Sequence, residues 1–93
     1  MRNRMNWMER LTEELDELSL PGQPLVEICG EQRVLIENHR GVSRYGQEEI
    51  RARVAFGELA VRGNKLDLVR MTKEQLLICG CIEQVELIRR GGK

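Results

Sequence analysis

Apolar and polar positions along the chain change period once, close to residue 20. Before it, Met8, Leu11, Leu15 and Leu18 recur at steps of three, four and three, the stripe of an amphipathic helix. Glu9, Glu13, Glu14, Asp16 and Glu17 fall mostly off that stripe. Arg2 and Arg4 stand at the front, where a helix dipole favours acids, so the first turn is expected to fray. Pro21-Gly22-Gln23-Pro24 cannot carry a helix onward and reads as a linker. The pattern therefore predicts an amphipathic helix over 1–20 and a linker over 21–24.

From Leu25 the period is two. Leu25-Val26-Glu27-Ile28-Cys29, closed by Gly30, reads as a strand, and Arg33 to Asn38 as a second. Ile50, Ala52, Val54 and Phe56 alternate with Arg51, Arg53 and Ala55, the clearest half-buried strand of the chain. Gly57-Glu58 is a candidate tight turn. Leu59 to Arg62 and Lys65 to Val69 are two further runs, and the Gly63-Asn64 between them is a hairpin signal. Leu76 to Cys79 and Ile82 to Ile88 form a last pair or one bent strand, with Gly80 marking a bulge or bend. Arg89 to Lys93 reads as a flexible tail.

These runs give seven or eight short strands, punctuated by turn glycines at 30, 41, 46, 57, 63 and 80. The connections are shorter than the dozen or so residues that a parallel crossover needs, so the sheet must be mostly an antiparallel meander. Leu76 and Ile78 on one face, with Leu77 and Cys79 on the other, make both faces of that run apolar. A flat sheet would leave one of them bare. The expectation is an all-β domain over 25–88, with the one N-terminal α-helix, curled into a small roll or sandwich. Stacked coils of a short β-solenoid are the alternative.

Composition narrows the function without naming it. The 93 residues suit one small domain. Fifteen basic and fifteen acidic residues leave no broadly basic surface for nucleic acid. Trp7, Tyr45 and Phe56 are the whole aromatic complement, too few for a base-stacking platform. No apolar run approaches the roughly 18 residues of a membrane span, and no long apolar stretch marks a secretion signal, so a cytoplasmic location is expected.

Candidate chemistry is sparse. Neither a dinucleotide fingerprint nor a phosphate loop is present. Three cysteines, Cys29, Cys79 and Cys81, read as reduced thiols serving as small buried hydrophobes; the alternative is a metal or redox site with His39. A catalytic His39 would pair with Cys29, Glu37 or Glu49. The structural reading has Asn38, His39 and Gly41 shaping a strand end, their side chains bonded to free backbone groups. Arg33, Arg40, Arg44, Arg51, Arg53 and Arg62 could form a basic strip for nucleic acid, but Glu48, Glu49 and Glu58 lie among them, as on a solvated strand face. No catalytic, cofactor-binding or metal-ligating residue is assigned. Trp7, Met8, Leu11, Leu15 and Leu18 are the candidate partner surface, whether for another copy or for a different protein; the same stripe could instead pack on the chain's own sheet or lie on a membrane surface.

Ile36-Glu37-Asn38-His39-Arg40-Gly41-Val42 resembles the YabP/YqfC family of sporulation proteins, and within it the YqfC type. Glu49-Ile50-Arg51, Gly57-Glu58-Leu59-Ala60-Val61-Arg62-Gly63, Leu66-Asp67-Leu68 and Leu76 to Ile82 follow in the family's order, and the likeness covers about residues 20–88. The leader with its Trp fits as well, whereas Cys79 and Cys81 stand where polar residues are expected. The resemblance implies a non-catalytic protein without a cofactor. It places such proteins in the mother cell of a sporulating bacterium, at the forespore membrane during formation of the spore envelope (cortex or coat). It also implies a protein partner, a sporulation membrane protein, in a hetero-complex or homo-oligomer.

Overall fold

The computed structural model describes residues 22–91. The predicted helix over 1–20, with its stripe, lies outside the described residues. Six strands follow: β1 (Leu25–Cys29), β2 (Arg33–Glu37), β3 (Val42–Arg44), β4 (Glu49–Val54), β5 (Gly57–Met71) and β6 (Gln75–Arg89). All neighbours are antiparallel, in one open sheet of order β1-β2-β6-β5-β4-β3. This excludes the solenoid, whose stacked coils would pair in parallel.

The last four strands form a meander, and the β1–β2 hairpin joins it by pairing β2 with β6, not with β3. Apolar matching accounts for that choice. Val34 lies opposite Ile78 and Ile36 opposite Leu76, and all four are fully buried.

Two strands are much longer than the sequence pattern suggests. β5 and β6 are 15 residues each and make one long hairpin, turned at Thr72-Lys73-Glu74. The Thr72 hydroxyl accepts from the N–H groups of Glu74 (3.3 Å) and Gln75 (2.9 Å), which sets the turn. The expected hairpin at Gly63-Asn64 is absent, and β5 runs straight through it with shifts of register on both sides. Gly63 is there because the partner strand comes too close for a side chain: a Cβ would lie 1.8 Å from the Cys81 carbonyl oxygen. Gly80 answers from the other strand. Its φ is +141°, and a Cβ would lie 2.6 Å from the Lys65 carbonyl oxygen. The tight turn expected at Gly57-Glu58 falls two residues earlier, at Ala55-Phe56, and Gly57 opens β5.

β4 pairs with the first half of β5, while β2 pairs with the first half of β6, so the two short strands flank opposite ends of the long hairpin. Ile50, Ala52, Val54, Leu59 and Val61 from one end join Val34, Ile36, Leu76 and Ile78 from the other in a single cluster, with Leu66 between. A flat single layer exposes both of its faces. Residues from both ends thus share one core, and the Gly63 and Gly80 irregularities are where the long hairpin can bend to bring them together.

Candidate interaction surface

His39 is the one imidazole, and its surroundings are backbone. Gly41 N–H donates to Nδ1 at 2.9 Å, so Nε2 carries the proton and donates to the Thr72 carbonyl at 2.8 Å. Asn38, at φ 65°, donates from Nδ2 to the Gln23 carbonyl (2.9 Å), and its N–H donates to Glu74 O. Arg40 N–H donates to Arg53 O, and Arg53 N–H returns to Gly41 O. Residues 38–41 thus tie the end of β2 to the tip of the long hairpin and to β4. Glu37 accepts from Gln75 Nε2 (2.9 Å), and Glu49 is bound by arginines, so neither candidate carboxylate meets His39.

The cysteines do not form a core. Cys29 and Cys81 are exposed and Cys79 is half-buried, which corrects the expectation of buried hydrophobes. Cys29 lies opposite Arg33, and Arg33 opposite Cys79, so the two thiols stand two strands apart. Two inter-strand spacings make about 9.6 Å, beyond the reach of a disulfide. No group of three His, Cys, Asp or Glu side chains among the described residues could hold a metal ion.

The expected arginine strip splits in two. Arg44, Arg51 and Arg62 all reach Glu49, at 2.7, 3.1 and 2.8 Å, and that carboxylate is only 16% exposed. Arg51 also binds Glu58 (3.1 Å), and Arg62 binds Glu86 (2.7 Å). This network laces β3, β4, β5 and β6 together across one face. The Arg44 hydrogen bond, followed by those from Arg51 and Arg62, brings the Glu49 carboxyl down from 4.5 to about 2 against the opposing effect of desolvation. The Ser43 hydroxyl and then Arg51 hold Glu58 below its ordinary value. Arg40 and Arg53 belong elsewhere. With Arg89 and Arg90 they line a cleft of about 410 Å³ over Val54, Gly57 and Ile88. The tail reading missed that Arg89 closes β6 and that Arg90 N–H donates to Phe56 O at 2.8 Å.

The two outer strands differ in character. β3 has three residues, a register shift and a terminal charged Arg44, the devices by which edges avoid pairing. β1 has no register shift, and its one charge is Glu27, at the centre of the strand. All five of its residues are exposed, Leu25 at 57% and Ile28 at 54%. Val26 lies opposite Ile36 and Ile28 opposite Val34, so β1 carries the core face of the sheet out to its rim.

A model of the YabP family matches residues 9–93. The chain belongs to the YabP family. Among its relatives, the uncharacterized protein YqfC of Bacillus subtilis (strain 168) is 26% identical over 88 residues, an alignment covering 94% of each chain. No solved structure matches. Of the candidate partner surface, Leu11, Leu15 and Leu18 fall within the matched region and Trp7 and Met8 precede it; all five lie outside the described residues. Among the described residues there is no helix long and apolar enough to cross a membrane.

Proposed function

We propose that this YabP-family chain is a non-catalytic assembly or adaptor domain of a sporulating bacterium. In this reading it acts in the mother cell during formation of the spore envelope, where it docks a membrane-associated partner through β1. The exposed, regular β1 edge, charged only at Glu27, carries the proposal. An open edge of this kind accepts a strand from another chain, its main-chain groups providing affinity and its alternate side chains specificity. The chemistry of β1 describes the incoming strand. Antiparallel pairing of two β1 strands about their centre would set Glu27 against its own copy, an unfavourable like-charge pair. A different strand, apolar at positions facing Val26 and Ile28 and basic opposite Glu27, fits better. The backbone-bound His39 and the separated thiols support a role without catalysis.

The test is co-purification from sporulating cells with the tagged wild-type chain and with Ile28→Lys, whose side chain is already exposed. A membrane protein retained by the wild type and lost with the folded variant is the expected result. Equal retention by both would exclude β1 as the docking edge, and retention of nothing by the wild type would exclude the adaptor role.

A further inference from the structure

The arginine cleft has a surplus of charge that the described fold does not use. Arg40, Arg53, Arg89 and Arg90 form no ion pair among the described residues, in contrast to Arg44, Arg51 and Arg62, which are all paired. Among the described residues Glu58 is the one acid lining the cleft; Arg51 binds it at 3.1 Å, and Arg53 attracts it without forming an ion pair. Backbone bonds bring the four residues to one cleft: Arg40 is bonded to Arg53 through main-chain groups, and Arg90 to Phe56 and, through Nη2, to Ala55 O at 3.0 Å. A cleft lined by four arginines together with Val54 and Ile88 suits carboxylates or phosphates, since the planar fork of Arg matches both.

The leader enters the described fold beside this cleft. A Cβ on Gly22 would lie 3.9 Å from Arg40 Nη2, and Gln23 is pinned through its carbonyl to Asn38, two residues before Arg40. Residues 8–18 hold five acids and one base, Arg10. On helical spacing Glu9, Glu13, Asp16 and Glu17 share the side opposite the apolar stripe. Glu17 is five residues from Gly22, a reach of up to about 17 Å, and the tether raises its concentration at the cleft to the millimolar range.

We infer that the Arg40–Arg53–Arg89–Arg90 cleft is the docking site for the leader's own acidic side, residues 9–17. The inference stands apart from the β1 reading, since it concerns another surface and needs no second protein.

Single exposed ion pairs are weak and screened by salt, so docking must depend on several acting together. Trp7 is the only tryptophan and sits in the leader, so its fluorescence anisotropy in the full chain follows the leader directly. In the wild type it should fall as NaCl rises from about 0.05 M to about 0.5 M. Arg53→Glu with Arg89→Glu, both exposed, should give the low value already at low salt. Glu13→Arg with Glu17→Arg should do the same without touching the sheet, and all four changes together should restore the high value. Salt-independent wild-type anisotropy would overturn the inference, as would a four-fold variant no better than either pair. Inorganic phosphate should bind the Glu13→Arg, Glu17→Arg chain more tightly than the wild type; equal binding would make the cleft a site for free anions and likewise overturn it.

Discussion

Gly63 lies so close to Cys81 across the β5–β6 ladder that a single methyl group on it would sit 1.8 Å from the Cys81 carbonyl oxygen. The contact is backbone on backbone, so no side chain can swing aside. Gly63→Ala should destabilise the domain by about 2–4 kcal/mol, in the upper range for overpacking and strain. Gly46→Ala is the control: its nearest contact would be 3.5 Å, its φ is not positive, and its cost should stay within roughly 1 kcal/mol. Urea denaturation of both variants checks the pair.

Glu49 makes stability depend on pH in the acid range. Its carboxyl is at about 2 in the fold against 4.5 without the arginines, so the native state favours the charged form. That contribution is complete above 4.5 and is lost as pH falls through about 2. Glu49→Gln should lower stability at neutral pH and flatten the dependence between those limits. Thermal melts at pH 7, 4 and 2.5 read the difference, which should shrink towards the lowest pH.

His39→Ala leaves the Gly41 N–H and the Thr72 carbonyl without their partners. Each net hydrogen bond is worth about 1 kcal/mol, so a loss of about 1–3 kcal/mol is expected, the chain remaining folded. Faster hydrogen exchange should be confined to Gly41 and the neighbouring backbone.

The three thiols should be dispensable. With Cys29 and Cys81 exposed and Cys79 half-buried, replacing all three by Ser should cost no more than about 1–2 kcal/mol. Sporulation of cells carrying the triple variant should match the wild type. A sporulation defect with an intact fold would point to thiol or metal chemistry.

Much of the sheet was legible because alternation is a local signal. Ile50, Ala52 and Val54 are buried as the period of two predicts, and Arg51 and Arg53 point the other way. Gly63-Asn64 was misread because glycine between two alternating runs looks the same whether it turns a chain or admits a neighbouring backbone. Only the position of Cys81 decides, and that is 18 residues away. β1 was legible as a strand but not as an edge, since its burial depends on what lies beside it. The arginine cleft was hidden for the same reason: Arg40, Arg53, Arg89 and Arg90 meet only after the end of β6 returns to β4 and to the loop after β2. The tripled claim on Glu49 was partly visible in the same-face spacing of Glu49 and Arg51.

The long β5–β6 hairpin also dictates an order of assembly. Its turn at Thr72-Lys73-Glu74 joins neighbours in sequence, so the first rungs, Met71 with Leu76 and Arg70 with Leu77, close only short loops. β2 must instead find β6 across some 40 intervening residues, and its apolar targets Leu76 and Ile78 are in place only once the hairpin exists. The hairpin is therefore expected to form first and the docking of the β1–β2 unit onto it to follow. Removing the Thr72 hydroxyl should slow folding, whereas truncating Val34 should chiefly speed unfolding, a division that stopped-flow chevrons of the two variants would expose.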